Sequence, residues 1–525
     1  MPDLPNPLDQ IEHIIVLMLE NRSFDNLLGW LYDPNGNRPP FNQPPPDNFD
    51  GLYGKNLSNP GPNGSSVPVG KGSILTDPNP DPGEGYEEAY SQLYDVPAPL
   101  LADVPPDPPQ PPAMQGFVSN YAAQSKVISS GTDPSLIMNC FTPAAVPVIS
   151  SLAYYYGVCD HWFASIPTET YCNRSYVHAG TSSGYVNNKG GDDFLFDNDT
   201  TTIFNLLEES QRSWKIYHGS WLITSLALLT QKKLWPYALD PNHFGHVSDF
   251  IKDAKRPGGL PSYAFIEPIY LDSLVWGPEN DMHPEANPFE FYGPSNIEQG
   301  EKLLSEVYQA VRTSPDWHKT MLIITFDEHG GCYDHVPPPP AEPPDHVVIP
   351  SDQPGGSGFR FNRLGVRVPA IIVSPFTKGQ TVINEVFDHT SILRTVVERF
   401  ELPKEQLGKR EAKAQDLSCA LNLRQARTDH PPIAQPSMKV IHELARPLSA
   451  MHQAVLAAST KPLSDFQRSI LAATARRLGQ PESTQAEIAQ LQTALQAETF
   501  LMKQEAKLLG RKLEGRLAAA AKAFF

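Results

Sequence analysis

The sequence predicts an α/β protein built on a parallel sheet. Residues 11–20, "IEHIIVLMLE", form a near-continuous aliphatic run, which is typical of a strand whose two faces are both covered by helices. Residues 297–315 have apolar side chains at helical spacing, and they lie between two apolar runs. Strand, helix and strand in this order favour parallel strands joined by right-handed crossovers. The further strands are predicted at 213–218, 262–269, 319–328 and 368–376.

The segments between these strands predict two helices and one long irregular region. Ser23 is placed to cap a short helix that runs to Trp30, and residues 144–158 predict a helix with Pro147 in its first turn. Residues 33–112 are dominated by Pro, Gly, Asn and Asp. This composition predicts a long irregular excursion rather than a packed element, and loops of such length are usually functional or loosely ordered.

The chain changes character near residue 403. We therefore expect a large domain over 1–403 and a mainly helical region over 404–525, in which a helical stretch runs from about 485 to 525. The last 25 residues are locally basic, with Lys503, Lys507, Arg511, Lys512, Arg516 and Lys522 against two glutamates. We interpret this tail as a helical cap or a homo-oligomer-forming arm; the alternative, peripheral membrane contact, also requires a strong apolar face.

Charge and cysteine usage exclude several classes of function. The net charge of −18 argues against nucleic acid as a partner, because phosphate backbones are bound by dense Lys and Arg surfaces. The five cysteines have no spacing typical of structural zinc or of a disulfide scaffold. The sequence shows no Sec-type signal and no transmembrane run, which leaves a cytoplasmic location and export by another route both open.

Two of the predicted strands end in pairs of oxygen-bearing side chains. Glu20 and Asn21 follow the first strand, and Asp327 and Glu328 follow the strand at 319–328. Ligands bind at the carboxyl ends of strands in open α/β sheets, so these oxygens suit a hard divalent cation such as magnesium, calcium or manganese. The Gly330-Gly331 pair permits the turn that brings both carboxylates to one ion. The alternatives are solvated acidic loops and a simple ion pair of Glu20.

A segment rich in hydroxyl groups and several histidines complete the reactive side chains. The residues alone do not distinguish one hydroxyl from another, and histidines around a metal suit phosphoryl chemistry because they can bind phosphoryl oxygens or protonate a leaving group. The hydroxyl residues are Ser165, Thr168, Thr170, Ser175, Thr181, Ser182 and Ser183. The histidines considered are His178, His218, His283, His329, His335 and His389, of which His178 and His389 are interpreted as packing residues.

Six ordered motifs between about residues 9 and 402 resemble a known family. They are "ENRSFDNLLG", "FTPAAVPVISSLA", "CDHWFASIP", "TYCNRSYVHAGTSSG", "NDMHP" and "FDEHGGCYDHVPPP". Together they resemble the phosphoesterases that include the non-specific phospholipases C and a related acid phosphatase, some of which are secreted. The resemblance implies an α/β/α sandwich of the alkaline phosphatase-like superfold.

The resemblance also implies a role for each candidate residue. It implies one or more divalent cations, with calcium, magnesium, manganese and zinc all open, held by Glu20, Asn21, Thr170, Asp327 and Glu328. Thr170 would be the nucleophile, because it keeps the family's spacing to the Asn-Arg pair. The implied catalytic residues are Thr170, His283, Asn21, His329 and His335, and the implied substrate-binding residues are Asn173, Arg174 and His218. The chain departs from the family at Cys172, where a proline is usual.

The expected function is metal-dependent hydrolysis of phosphate esters. We expect a phospholipase C that cleaves headgroup phosphodiesters of glycerophospholipids through a phosphothreonine intermediate. The alternatives are an acid phosphatase acting on phosphomonoesters and a non-catalytic metal-binding protein on the same fold. The expected partner is accordingly a phospholipid or a small phosphate ester.

Overall fold

An eight-stranded sheet organises the chain. The computed structural model describes residues 6–62, 64–100, 103–105, 108, 110–188, 198–271, 273, 276–284, 297–351, 356–436, 470–471, 474, 491 and 494–508. The strands of the sheet are β1 His13–Leu19, β2 Gly157–Cys159, β3 Trp214–His218, β4 Phe244–His246, β5 Tyr263–Ile266, β6 Thr320–Phe326, β7 Ala370–Val373 and β8 Thr381–Ile383.

The sheet is mixed, which corrects the prediction of a parallel sheet. The strand order is β8-β2-β7-β6-β1-β5-β3-β4. Strands β6, β1, β5, β3 and β4 run parallel to one another, whereas β7 runs antiparallel to both β6 and β2. An apolar run indicates that a strand is buried but carries no information about its direction. The three-residue strands β2, β4 and β8 are too short to show a pattern in the sequence.

Helices cover the sheet and confirm the α/β fold class. Every residue of β1 and β6 is buried, so both faces of the sheet are covered at its centre. The helices are α1 Phe24–Leu28, α2 Tyr86–Tyr94, α3 Phe117–Ala123, α4 Ser125–Ser130, α5 Pro147–Tyr155, α6 Thr170–Ala179, α7 Ile203–Glu209, α8 Leu226–Thr230, α9 Val247–Ala254, α10 Ile297–Arg312, α11 Thr390–Phe400, α12 Gly408–Lys413 and α13 Ala494–Leu508. One set of contacting helices contains α5, α9 and α10, and another contains α6, α8 and α11.

Local signals in the sequence position the elements around the sheet as predicted. The Ser23 hydroxyl caps α1 by accepting a hydrogen bond from the Asn26 amide at 3.1 Å. Pro147 occupies the first turn of α5, where its missing N–H leaves no intrahelical bond unmade. The apolar stripe of α10 is buried, as its periodicity requires.

The proline-rich excursion contains packed elements, which corrects the prediction for residues 33–112. Helix α2 lies within it, and Tyr86 and Leu93 of that helix are buried. Short strands pair Ser58–Pro60 with Ser66–Pro68, and Gly70–Gly72 pairs with Asn139–Phe141 outside the excursion. Because α2 has several apolar side chains to bury, it packs although prolines precede it.

The C-terminal region is described only in part. Helix α13 lies within the stretch predicted to be helical, and its Glu498 accepts a hydrogen bond from the Ser273 hydroxyl at 2.8 Å. Of the six basic residues of the tail, Lys503 and Lys507 are described and the other four lie outside the described residues. The roles of this tail in self-association and membrane contact stay predictions. Within the described part of the chain, no helix combines the length and apolar character needed to cross a membrane.

Candidate active site

The pairing of β1 with β6 brings the predicted oxygen ligands together. Leu19 lies opposite Phe326 in the parallel register, so Glu20 and Asp327 leave the sheet side by side. The Asp327 Oδ1 atom accepts hydrogen bonds from two backbone amides, that of Asn21 at 3.1 Å and that of Glu328 at 2.8 Å. All four side chains are completely buried. Asp327 therefore fixes the backbone on which the other three residues are mounted.

The Gly330-Gly331 turn allows the two strand ends to approach each other closely. Gly330 has φ +58°, and a Cβ atom there would lie 2.3 Å from the Asn21 carbonyl oxygen. Its amide donates a hydrogen bond to Glu328 Oε2 at 2.7 Å, which holds that side chain within the turn. Asn21 itself has φ +56°, a conformation that asparagine tolerates better than most residues. The structure thus confirms the predicted use of this glycine pair.

Replacing Gly330 by alanine is expected to destabilise the protein much more than positive φ alone would. Gly258 supplies the control, because it has φ +64° and no atom lies within 4 Å of the position of an added Cβ. We expect Gly258→Ala to lower the free energy of unfolding by about 1–2 kcal/mol. Gly330→Ala is expected to cost more than about 3 kcal/mol because it also forces Asn21 to move. Urea denaturation measures both, and equal losses in the two variants would contradict this account.

The strand ends carry more negative charge than the protein neutralises. Arg174 contacts two of the carboxylates, with its Nε 3.0 Å from Asp327 Oδ2 and its Nη2 3.4 Å from Glu20 Oε1. Burial and the charge of Asp327 raise the pKa of Glu20 well above its usual value. Burial, followed by the charges of Glu84 and Asp327, likewise raises the pKa of Glu328. One arginine is therefore set against a denser group of buried acids.

The orphaned oxygens of this group fit a divalent cation. Asn21 Oδ1, Glu328 Oε1 and Thr170 Oγ1 are buried and accept no hydrogen bond from any residue that the structure describes. The Glu20 carboxylate oxygens likewise accept none from the described residues, although Arg174 lies nearby. Unpaired buried oxygens cost free energy, and a hard cation would compensate them all. This donor set of carboxylate, amide and hydroxyl oxygens is the one predicted from the sequence.

Helix α6 places Thr170 one turn before Arg174. Thr170 is the first residue of α6, and Arg174 lies on the same face of the helix. Arg174 in turn contacts Glu20 and Asp327. The amino end of a ten-residue helix also carries partial positive charge, which favours an anionic group near Thr170.

Asn173 stabilises the loop before α6, and its predicted role in substrate binding stays a prediction. Its Oδ1 accepts a hydrogen bond from the Ile166 amide at 3.1 Å, and its Nδ2 donates to the Thr168 carbonyl at 2.7 Å. The amide is thus engaged with the protein backbone. Arg174 differs, because its Nη1 donates to none of the described residues, and its predicted contact with substrate stays a prediction.

The Cys172 position tolerates the absence of the family's proline. Cys172 lies inside the first turn of α6, where it is completely buried, and the helix is continuous through it. Burial raises the pKa of the Cys172 thiol well above its usual value, so the side chain packs as a neutral group. Helix α6 therefore begins at Thr170 without a proline.

Two of the predicted histidines contact the group of strand-end residues. His283 Nε2 lies 2.9 Å from Asn21 Nδ2, and its Nδ1 donates to the Pro284 carbonyl at 2.6 Å. Burial alone would lower the pKa of His283, but its hydrogen bond to Glu84 and the nearby acids raise it well above the usual value. His329 Nδ1 lies 3.3 Å from Glu328 Oε2, and burial lowers the pKa of His329 to about 3. The first is therefore cationic and the second neutral near pH 7.

His335 belongs to a separate ionic network, and its predicted catalytic role stays a prediction. Its Nδ1 lies 2.6 Å from Asp25 Oδ2, and Arg367 binds both Asp25 and Asp334. Burial alone would lower the pKa of His335, yet Asp25 and Asp50 raise it to about 9. Its Nδ1 thus contacts Asp25 of α1, and its Nε2 lies 3.1 Å from Asp50 Oδ1. Proximity to "FDE" in the sequence did not reveal that the side chain lies in this other network.

The remaining histidines lie in other environments. His218, at the end of β3, has its Nδ1 2.8 Å from the Ser220 carbonyl oxygen, and its ring lies 5.8 Å from that of His246. Its predicted role in substrate binding stays a prediction. His178 packs against Phe265 with ring centroids 4.6 Å apart, as expected for a packing residue. His389 Nε2 donates to the Asp327 carbonyl at 2.7 Å, which supports the strand end from behind.

The excursion contributes one site residue that sequence reasoning missed. Glu84 Oε2 accepts a hydrogen bond from Asn21 Nδ2 at 2.5 Å and lies 3.5 Å from His283 Nε2. Asp81, Glu84 and His283 lie close enough together that they could themselves hold a metal ion. No periodicity or motif links residues 81–84 to the strand ends. The "PDPGEGY" segment therefore offered no signal of this contact.

Comparison with known proteins agrees with this geometry. Residues 11–403 match the model of the Phosphoesterase family. Non-specific phospholipase C3 of Arabidopsis thaliana is 35% identical over 438 residues, which cover 80% of this chain and 75% of that protein. Phospholipase C A of Mycobacterium tuberculosis is 28% identical over 447 residues, which cover 80% of this chain and 78% of that protein.

Solved structures are more distant from this chain. A protein in the alkaline phosphatase superfamily from Vibrio parahaemolyticus is 12% identical with a TM-score of 0.32, and the match covers 51% of this chain and 64% of that one. The phosphonate monoester hydrolase of Agrobacterium radiobacter is 14% identical with a TM-score of 0.31, covering 57% and 77%. On the family match over residues 11–403 and on the identity to its curated relatives, the chain belongs to the Phosphoesterase family and is a phosphoric ester hydrolase.

Proposed function

We propose that this chain is a phospholipase C that hydrolyses the headgroup phosphodiester of glycerophospholipids through a phosphothreonine on Thr170. The observation that carries the proposal is the Thr170 hydroxyl, which is buried, accepts no hydrogen bond from a described residue and begins the helix whose Arg174 contacts Glu20 and Asp327. A reactive hydroxyl needs this combination of access to charge and freedom from competing hydrogen bonds. The curated relatives named as phospholipases C support the choice of substrate class.

Glu20, Asn21, Thr170, Asp327 and Glu328 are the residues that would hold a divalent cation. Unpaired buried oxygens of Glu20, Asn21, Thr170 and Glu328 support this assignment, and oxygen ligands suit calcium, magnesium or manganese, with zinc a further candidate. A bound cation supplies positive charge that favours a deprotonated hydroxyl and developing negative charge on phosphoryl oxygens.

The reaction proceeds by two displacements at phosphorus. Thr170 Oγ1 forms a bond to phosphorus, and the bond from phosphorus to the glycerol oxygen breaks to release diacylglycerol. Water then attacks the phosphorus of the threonine ester, the bond to Oγ1 breaks, and the headgroup phosphate departs with the Thr170 hydroxyl restored. In each displacement, negative charge develops on the phosphoryl oxygens. The Arg174 guanidinium would neutralise part of this charge.

His283 is the residue that we assign to protonating the leaving glycerol oxygen. Glu84 and the neighbouring acids hold its pKa well above the usual value, so the imidazole carries a proton near neutral pH. General acids of this kind typically contribute about 10²–10⁴-fold to a rate. The Nδ1 proton is engaged with the Pro284 carbonyl, so the transferable proton is the one on Nε2.

A substrate panel with and without chelator tests the proposal. We expect the protein to hydrolyse phosphatidylcholine, to lose this activity in EDTA and to recover it when a divalent cation is restored. Sphingomyelin and p-nitrophenyl phosphate complete the panel. Hydrolysis of p-nitrophenyl phosphate alone would favour the acid phosphatase alternative. No hydrolysis of any substrate, with cations supplied, would favour the non-catalytic metal-binding protein.

A further inference from the structure

The Asn21 side chain presents two chemically different ends, and only one of them can ligate a cation. Its Oδ1 is buried and accepts no hydrogen bond from the described residues, whereas its Nδ2 contacts both Glu84 and His283. A cation binds the carbonyl oxygen and is repelled by the amide hydrogens. The usefulness of Asn21 as a ligand therefore depends on which way its amide is turned.

Glu84 determines this orientation through hydrogen-bond chemistry. An ionised carboxylate can only accept hydrogen bonds, so the amide atom 2.5 Å from Glu84 Oε2 must be the nitrogen. If the amide were reversed, Asn21 Oδ1 and Glu84 Oε2 would face each other at this distance with no hydrogen between them. His283 opposes this choice when its Nε2 carries a proton, because a protonated nitrogen can donate to the amide oxygen but cannot accept from the amide nitrogen.

Two hydrogen bonds to backbone carbonyls anchor the chain just before Glu84. The Tyr121 hydroxyl donates to the Pro80 carbonyl at 2.6 Å, and Gln92 Nε2 donates to the Gly83 carbonyl at 2.7 Å. The segment also touches the turn after β6, since a Cβ atom on Gly331 would lie 2.5 Å from the Gly83 carbonyl oxygen. The backbone that carries Glu84 is therefore fixed, and it does not move with the Asn21 side chain if the amide rotates.

We infer that Glu84 is a positioning residue, by which the proline-rich segment keeps Asn21 Oδ1 turned toward the cation. The inference rests on the proposed function, because it takes Asn21 as a metal ligand. Groups that orient a ligand in this way typically change metal affinity by about 10–100-fold when they are removed. The proline-rich segment that contains Glu84 thus sets the geometry of the metal site.

The test compares variants of the full-length protein by isothermal titration with Mn²⁺, or with Ca²⁺ if the wild type binds no Mn²⁺. Glu84→Ala and Glu84→Leu remove the acceptor, and we expect each to weaken binding by about 10–100-fold. Glu84→Gln retains an oxygen that accepts from Asn21, and we expect its affinity to stay within about threefold of the wild type. Glu88→Ala is the matched control; Glu88 lies four residues later, and its side chain makes no hydrogen bond or ion pair with any described residue.

Metal occupancy separates positioning from general damage. At saturating Mn²⁺, Glu84→Ala should bind as many ions per chain as the wild type does, because the cation itself selects the productive amide orientation. Melting temperatures confirm that the variants are folded. Wild-type affinity in Glu84→Ala and Glu84→Leu would overturn the inference. A loss in Glu84→Gln as large as that in Glu84→Ala would also overturn it, because charge rather than hydrogen-bond acceptance would then be responsible.

Asn21→Ala distinguishes a failure of this inference from a failure of the proposed function. We expect Asn21→Ala to weaken Mn²⁺ binding at least as much as Glu84→Ala does. Weakened binding in Asn21→Ala with wild-type binding in Glu84→Ala would discard the positioning role alone. Unchanged binding in Asn21→Ala, or no binding of either ion to the wild type, would remove the metal site on which both the function and the inference rest.

Discussion

Thr170→Ala is expected to lower kcat for phosphatidylcholine by about 10⁴-fold or more, since loss of a nucleophile typically removes this much. The Thr170 hydroxyl is buried and unpaired among the described residues, so its removal should leave stability nearly unchanged. Thr170→Ser keeps a hydroxyl at the same position and should retain a measurable part of the activity. Initial rates of diacylglycerol release measure all three proteins.

Thr181→Ala is the matched control for the nucleophile. Thr181 lies just beyond the end of the same helix, and its hydroxyl donates to Asp345 at 2.5 Å, so it is committed to a structural contact. We expect its removal to affect stability more than kcat. Wild-type turnover by Thr170→Ala, or an equal loss of kcat in Thr181→Ala, would show that Thr170 is not the reacting group.

Glu20→Ala is expected to lower kcat/KM by about 10³-fold or more, because a catalytic cation contributes several kcal/mol of transition-state stabilisation. The fold should survive, since Arg174 keeps its contact with Asp327 at 3.0 Å. Glu12→Ala is the control, because Glu12 precedes the same strand at its opposite end and pairs with Lys319. Full activity in Glu20→Ala, or an equal loss in Glu12→Ala, would refute the predicted metal site.

Glu20→Gln, which removes the charge of this side chain, should change the stability of the protein, and the pKa of Glu20 determines the sign of the change. Burial and Asp327 raise this pKa above 4.5, so the metal-free folded protein binds the Glu20 proton more tightly than the unfolded chain does. The stabilising effect of this proton is complete below pH 4.5 and is lost as the pH rises through the folded-state pKa. Metal-free Glu20→Gln should therefore melt above the wild type at pH 7, and the difference should shrink toward pH 4.5.

The strand-end residues could be predicted from the sequence because their position follows from two local facts. The aliphatic runs of β1 and β6 identify buried strands, and side chains directly after parallel neighbours leave the sheet at one edge. Glu20 and Asp327 satisfy both conditions, and the structure places them next to each other. The glycine pair after Glu328 was recognisable for the same reason, because a tight approach of two backbones requires it.

The rest of the site depends on tertiary contacts that leave no pattern in the sequence. Glu84 reaches Asn21 across 63 positions of the chain, and only the packing of the excursion determines this contact. His335 follows the metal-ligand motif closely, yet the turn at Gly330 directs it toward Asp25 instead. Asn173 has the residue type of a ligand, but the backbone of the preceding loop uses its whole amide.

Trapping of the covalent intermediate tests the central claim most directly. Wild-type protein mixed with phosphatidylcholine and quenched in acid within one turnover should carry the headgroup phosphate on the peptide that contains Thr170, as identified by mass spectrometry. Thr170→Ala treated in the same way should carry none. A burst of diacylglycerol without modification of Thr170, or modification of another residue in both proteins, would contradict the account.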